Sequence, residues 1–382
     1  MIRNRLIWLF LFVLSLVGIS FYGGAVSYGF FFLMLFIPLI SLIYLLVVYV
    51  TFKIYERVDK GNILAGETAP YYFTLQNEGF TGFAGIKVLF FSSFSKVFSI
   101  DDKKEYELYP TAGIRKDTFL LCKYRGEYEV GIKQVEITDF FRLFSFSYKN
   151  RETVTLQVKP AVVSLSELRD IDIDVLSYRD SAANMSAPDL PVRDYVSGDD
   201  VRRMHWKATA ARGSLMVRTD AGEEKQGISV VIPPLRTSED EFDYIPRESR
   251  ILEAAVAVTL LFSKRNIPAE IIMSMSETVT VTGLEGFEAA YERISDIKFQ
   301  TDFSESVFYE DLLYKSNISR SKFVFFFVGE MTDSLKIMIE RLKKENVAVV
   351  CYVCDGKAEY SDSEQGVKII GLPTDEKLSE VM

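Results

Sequence analysis

Histidine occurs once in this 382-residue chain, at His205, and cysteine only three times. A single imidazole excludes metal centres built from several histidines. Three cysteines cannot form a disulfide framework, and such sparse usage fits a reducing compartment. Basic residues are in deficit as well, with 44 Lys plus Arg against 53 Asp plus Glu. A protein that coats nucleic acid needs a basic face to displace counterions, so that class is set aside. What is present is folded protein: 48% hydrophobic and 25% charged residues exclude global disorder. The length allows two to three domains.

The longest absence is of charge, from Leu6 to Phe52. A membrane-crossing helix takes about 20 apolar residues, so this run predicts two crossings, Leu6–Ser20 and Phe30–Val50. The turn between them is expected over Phe21–Gly29, where glycines and polar groups interrupt the pattern. Pro38 is tolerable inside a membrane helix, because neighbouring groups satisfy the carbonyl it frees. Arg3 and Arg5 precede the run, and Lys53, Arg57 and Lys60 follow it. The positive-inside rule then puts both ends, and the body that follows, on the cytoplasmic side of the cell membrane. A cleaved signal peptide followed by one crossing returns Lys53 to the same side.

Residues 54–160 carry short aromatic and β-branched runs, at Tyr71–Leu75, Ile86–Phe90, Tyr128–Ile137 and Thr153–Val158. Glycine-containing turns separate them, which predicts a β-sandwich. Residues 227–382 change character. Strands are expected at Gly227–Ile232, Ala269–Met275, Lys322–Val328 and Val347–Val353, and helices at Glu248–Arg265, Glu285–Ile297 and Met331–Asn346. Alternation with unbroken apolar strands predicts a doubly wound α/β domain with helices on both faces of a parallel sheet. The organisation expected is therefore an anchor at 1–53, a sandwich at 54–160, a distinctive segment at 161–226 and an α/β domain at 227–382.

The distinctive segment concentrates unusual chemistry. Gly198 and Asp199 fit a turn and N-cap, Asp200–Arg212 a short helix, and Gly213 its C-cap. His205 and Trp206 are adjacent, among six cationic side chains running from Arg193 to Arg218. The pattern Tyr195-x-x-Gly198-Asp199-Asp200-x-Arg202-x-x-His205-Trp206-Lys207-Ala208-x-x-x-Arg212, continuing to Leu215, Val217 and Arg218, resembles the domain-of-unknown-function 58 family of bacterial proteins. Upstream, Tyr124-Arg125-Gly126-Glu127-Tyr128 and Asp139-Phe140-Phe141-Arg142-Leu143-Phe144 resemble two further elements of that family. Phe140 and Arg142 stand where the second element has proline and glycine, which predicts a differently built turn.

The resemblance implies two membrane helices, a β-sandwich and a von Willebrand factor A-like α/β domain. It also implies partners, a MoxR-type AAA+ ATPase and a transglutaminase-like membrane protein, and it specifies no reaction. On this reading the chain is a non-enzymatic scaffold that uses no cofactor. The candidate partner-binding or domain-coupling residues are Arg193, Tyr195, Gly198, Asp199, Arg202, His205, Trp206, Lys207, Arg212 and Arg218. Guanidinium forks suit carboxylate or phosphate partners. The structural alternative pairs Asp194, Asp199 and Asp200 with Arg202, Arg203 and Arg212, and packs Trp206 into the core beside His205. Two further readings are an enzyme of unknown class on an envelope substrate, with Asp199 and His205 as acid–base groups, and a small-anion sensor.

Three sharper chemistries are weighed and set aside. A metal site in a von Willebrand factor A-like domain needs Asp-x-Ser-x-Ser after the first strand, but Val230–Leu235 offers no oxygen-bearing side chain. Asp333 alone would not make a cage. Cys351 and Cys354 have redox-motif spacing, yet in a strand residues i and i+3 face opposite ways, so they are expected in the core. A nucleophile at Cys122 or Asp139 would depend on His205, which is flanked by cations that disfavour its protonation.

Overall fold

The computed structural model describes residues 1–59, 61–100, 104–168, 192–194, 204, 206, 209–210, 213–218, 227–274, 278–315, 318–354, 362–364 and 367–382, with backbone only at 192–194, 217–218, 315 and 362–364. The chain forms two compact units, Met1–Lys159 and Pro160–Met382.

The first unit opens with helices α1 (Ile2–Tyr22) and α2 (Ala25–Thr51), both long and apolar enough to cross a membrane. The turn is tighter than the expected Phe21–Gly29. Gly23 ends α1 in the left-handed conformation at φ 51°, its N–H bonded to the Ile19 carbonyl, and Gly24 begins α2. Glycine adopts that conformation without a Cβ penalty, so Ser27, Tyr28 and Gly29 are free to join the helix.

Most side chains of both helices are exposed, but one stripe of α2 is not. Met34, Ser41, Leu45 and Val48 are buried. The last third of α2 packs against the β-region that follows. The Tyr44 hydroxyl accepts the Ala84 N–H at 3.1 Å, and the Tyr49 ring meets Phe146 and Tyr148 edge-on. The helix runs directly into strand β1 (Phe52–Val58).

The β-region has two antiparallel four-stranded sheets and a small third one. The first orders β1, β3 (Thr68–Asn77), β7 (Gly113–Cys122) and β5 (Ser95–Val97). The second orders β10 (Ser145–Lys149), β9 (Ile132–Thr138), β4 (Phe83–Phe90) and β6 (Glu105–Leu108). The third joins β2 (Ile63–Leu64), β11 (Val154–Lys159) and β8 (Gly126–Val130). Alternate residues of β3 are buried, and Phe73 meets Phe90 and Tyr106 of the facing sheet, the packing of a sandwich.

The expected single strand Tyr128–Ile137 breaks in two at Gly131, which sits at φ 85°. The break makes room for a carboxylate. Glu56, half-buried on β1, accepts from the Tyr71 hydroxyl at 2.7 Å, the Ile132 N–H at 2.9 Å and the Asn150 amide at 2.7 Å. Desolvation nevertheless outweighs these donors and pushes the Glu56 carboxyl up to about 7 from its ordinary 4.5. Between those two values the folded chain holds a proton that the unfolded chain has lost. Stability is therefore expected to fall as pH rises across that window, by at most about 3 kcal/mol. Thermal melts of the wild type and Glu56→Gln from pH 4 to 8 check this; parallel pH profiles would remove Glu56 as the source.

A second carboxylate organises the loop between β9 and β10. Asp139, 2% exposed, accepts from the Phe141 and Phe144 N–H groups at 3.1 and 2.7 Å and from the Ser41 hydroxyl of α2 at 2.9 Å. Arg142 takes φ 53°, a conformation that glycine adopts freely. Its guanidinium is held by Glu105 at 2.9 Å.

The second unit is built on a seven-stranded sheet in the order β16 (Thr278–Val281), β15 (Ala269–Ile272), β14 (Ile228–Val231), β17 (Phe323–Val328), β18 (Ala348–Val353), β20 (Val367–Gly371) and β19 (Asp362–Glu364). The inner strands are parallel, and both edge strands are antiparallel. Successive residues of each inner strand divide between two cores. Helices α3 (Glu241–Lys264) and α4 (Gly283–Ser295) cover Val230, Phe325, Phe327 and Tyr352. Helices α5 (Glu305–Lys315) and α6 (Asp333–Lys344) cover Val231, Phe326 and Cys351.

α3 starts seven residues before the expected Glu248. Asp240 caps it by accepting the Phe242 N–H at 3.0 Å, and Pro246 lies inside it. Pro246 is the sixth helical residue, past the first four N–H groups, so it removes one interior bond of the helix. The short helix α7 (Leu378–Val381) closes the chain.

Candidate functional site

The distinctive segment is an excursion closed at its base. Strands β12 (Val192–Asp194) and β13 (Met216–Arg218) pair antiparallel, matching Val192 with Arg218 and Arg193 with Val217. The backbones of Arg193 and Arg218 thus stand at adjacent positions of one ladder. Inside the excursion, Gly213 has φ 71° and donates its N–H to the Thr209 carbonyl at 2.9 Å, as expected of a helix C-cap. The Thr209 hydroxyl in turn accepts the N–H of Met216, whose side chain is buried.

Trp206 contradicts the core-packing expectation. Its side chain is 64% exposed, and Leu215 is 46% exposed. An indole left in water within so polar a segment is the kind of anchor that protein interfaces use. Tyr195, Gly198, Asp199, Arg202, His205, Lys207 and Arg212 lie outside the described residues, as do the side chains of Arg193 and Arg218. The ion pairs expected among Asp194, Asp199, Asp200 and the arginines fall outside them too.

At the C-terminal ends of β14 and β17, charges pair with one another. Arg236 grips Glu248 with two bonds, at 2.6 and 3.2 Å, and lies 3.8 Å from the Tyr244 ring centre. Arg247 bridges Asp243 at 2.9 Å and Glu330 at 3.1 Å. Arg250 donates to the Pro373 carbonyl and to Glu253, whose carboxyl burial pushes up. Asp333 begins α6, strongly exposed, and pairs with Lys336. Among the described residues, no three His, Cys, Asp or Glu side chains come together as a metal site. The loop after β14 leads into the Arg236–Glu248 pair.

The cysteines match the core expectation. Cys351 and Cys354 are buried in the separate cores on opposite faces of the sheet. Burial pushes the Cys351 thiol far up, and it raises Cys122 as well, so neither presents a ready thiolate. Asp139, weighed as a nucleophile, is occupied as the acceptor of its own turn. Sequence reasoning overlooked Glu56 with Gly131, and Ser41 with Asp139. The signal for the second was the Asp-x-x-x-x-Phe spacing of residues 139–144.

Residues 191–290 match the family model described as a protein of unknown function, DUF58. Over that stretch the chain is similar to DUF58. The matched stretch begins at the β12–β13 excursion and runs through β14, α3, β15 and β16 into α4, so the exposed indole and the Arg236–Glu248 pair both lie within it. No curated protein matches the chain. Solved structures overlap it only slightly. The cupredoxin domain of amoB from Nitrosocaldus yellowstonii shares 9% identity over 31% of this chain and 97% of its own, with a TM-score of 0.21. A FixG-related protein from Vibrio parahaemolyticus shares 11% over 28% and 97%, at 0.20. The native E. coli alpha-2-macroglobulin shares 15% over 32% of this chain and 8% of its own, at 0.21. Overlaps this small carry no argument about this chain.

Proposed function

We propose that the chain is a membrane-anchored interaction protein without catalytic chemistry, holding its body at the cytoplasmic face. Its partners on this reading are a MoxR-type AAA+ ATPase and a transglutaminase-like membrane protein, as the family resemblance implies. The observation that carries the proposal is the exposed Trp206 inside the stretch similar to DUF58. Anchoring is supported by two apolar helices that stay largely exposed, where the core helix of a soluble protein would be covered. Arginines at the start of α1 and Lys53 after α2 support the cytoplasmic side.

The von Willebrand factor A-like reading of the second unit is supported by strand order. Numbered along the chain, the sheet runs 3-2-1-4-5-7-6, which places the topological switch between β14 and β17. Beside the switch, Arg236 pairs with Glu248 and Arg247 with Glu330.

The test is capture of the full-length protein from its native membrane in detergent, wild type beside Arg202→Ala/Arg212→Ala. Recovery of an AAA+ ATPase with the wild type and its loss with the variant supports the proposal. Equal recovery assigns those arginines to structure, and recovery of no ATPase overturns the partnership.

A further inference from the structure

The loop Asp139–Phe146 sits at an unexpected depth. Its Asp139 carboxylate is bonded to Ser41, which lies ten residues before the end of α2 at Thr51. At helical rise this is about 15 Å inside the charge-free run. Asn4 and Arg5, at the start of α1, reach the same loop and donate to the carbonyls of Phe141 and Leu143 at 3.0 and 2.6 Å. The loop is therefore fixed level with the charged start of α1 and beside the last third of α2.

At that depth it displays aromatic rings. Phe140 is 63% exposed, Phe141 49% and Phe146 43%. The exposed face of α2 continues apolar past the same level, through Leu42, Leu46 and Val50. The backbone is prepared for a place without water. Besides the two N–H groups on the Asp139 carboxylate, the Arg142 N–H bonds the Asp139 carbonyl, and the Asp139 N–H bonds the Phe144 carbonyl. Irregular backbone survives near lipid only when its polar groups are satisfied internally in this way. The charge of Arg142 is paired with Glu105.

We infer that this edge of the sandwich is seated in the bilayer interface, with Phe140, Phe141 and Phe146 in the boundary between headgroups and acyl chains. Aromatic rings favour that layer. The inference rests on the membrane reading proposed above and adds a third attachment to its two helices. Tyr44, its ring tilted against Phe140 with centroids 4.8 Å apart, and Tyr49, edge-on to Phe146, tie the seat to α2. The sandwich then rides the membrane in one fixed attitude and does not swing on a tether.

Depth-dependent quenching tests it in the full chain, reconstituted in phosphatidylcholine vesicles whose acyl chains carry bromine. Trp8 alone, in a Trp206→Phe background, reports whether α1 enters lipid. Phe140→Trp and Phe141→Trp, each in a Trp8→Phe/Trp206→Phe background, report on the loop; Tyr55→Trp on β1 is the water-side control. The expectation is that both loop indoles lose roughly half their emission, most strongly with bromines nearest the headgroup, while the control loses little. Quenched Trp8 with unquenched loop indoles overturns the seat and leaves the anchor standing. Unquenched Trp8 overturns both. Two loop positions are used so that one variant that fails to fold does not decide the result.

Discussion

Gly131→Ala is expected to destabilise the first unit by about 3–5 kcal/mol. A Cβ built on Gly131 falls 2.0 Å from the Glu56 carboxylate and 2.9 Å from the Tyr71 hydroxyl, at a backbone φ of 85°. The left-handed conformation alone costs a non-glycine residue about 1–2 kcal/mol. Moving the carboxylate aside adds more, because the Ile132 N–H and the Tyr71 hydroxyl lose their acceptor. Each part-buried donor left unmade costs about 1–3 kcal/mol. Gly213→Ala is the internal control. Gly213 shares the positive φ, at 71°, but a Cβ there meets nothing within 4 Å. It should lose only the conformational term, about 1 kcal/mol. Thermal melts in detergent separate the two, and equal losses would show that Glu56 yields freely and that the cradle is not tight.

Asp139→Ala should cost a similar amount, about 3–4 kcal/mol, for a different reason. It strips the acceptor from the Phe141 and Phe144 N–H groups and from the Ser41 hydroxyl together. The strained Arg142 would then lose the contacts that over-determine its positive φ. Ser41→Ala removes one of the three partners and should cost only about 1 kcal/mol. Limited proteolysis adds a local readout. Cleavage within 139–146 should accelerate in Asp139→Ala and remain near wild type in Ser41→Ala. If the two variants behaved alike, the turn would owe its form to the helix contact and not to its own backbone bonds.

The parts legible in the sequence were those with strong periodicity. The charge-free run marked α1 and α2, and the unbroken apolarity of Phe323–Val328 and Ala348–Val353 marked buried parallel strands. The faces of Cys351 and Cys354 followed from period two alone. Short or antiparallel elements escaped. β16 and β19, at the sheet edges, have four and three residues, too few for a pattern to separate from loop. α5 escaped because its apolar residues are interspersed with Glu310 and Asp311.

The core-packing alternative for Trp206 failed for a physical reason. Tryptophan is mostly buried in folded proteins, and that prior outweighed the polar neighbourhood, which was the better guide. Glu56 and Gly131 are far apart in sequence, and only the sandwich brings them within contact. No local pattern announces such a pair.

The excursion carrying Trp206 bears the functional weight of this account, so binding should be measured on it directly. The full-length protein in detergent would be titrated with a purified MoxR-type ATPase from the same organism, with ATP, with ADP and without nucleotide. Trp206→Ala is compared with the wild type after both are shown to melt alike. The account predicts binding in at least one nucleotide state, weakened roughly 30-fold or more by the substitution, as befits a buried interface anchor. Binding that is indifferent to Trp206, or absent in every nucleotide state, would contradict it.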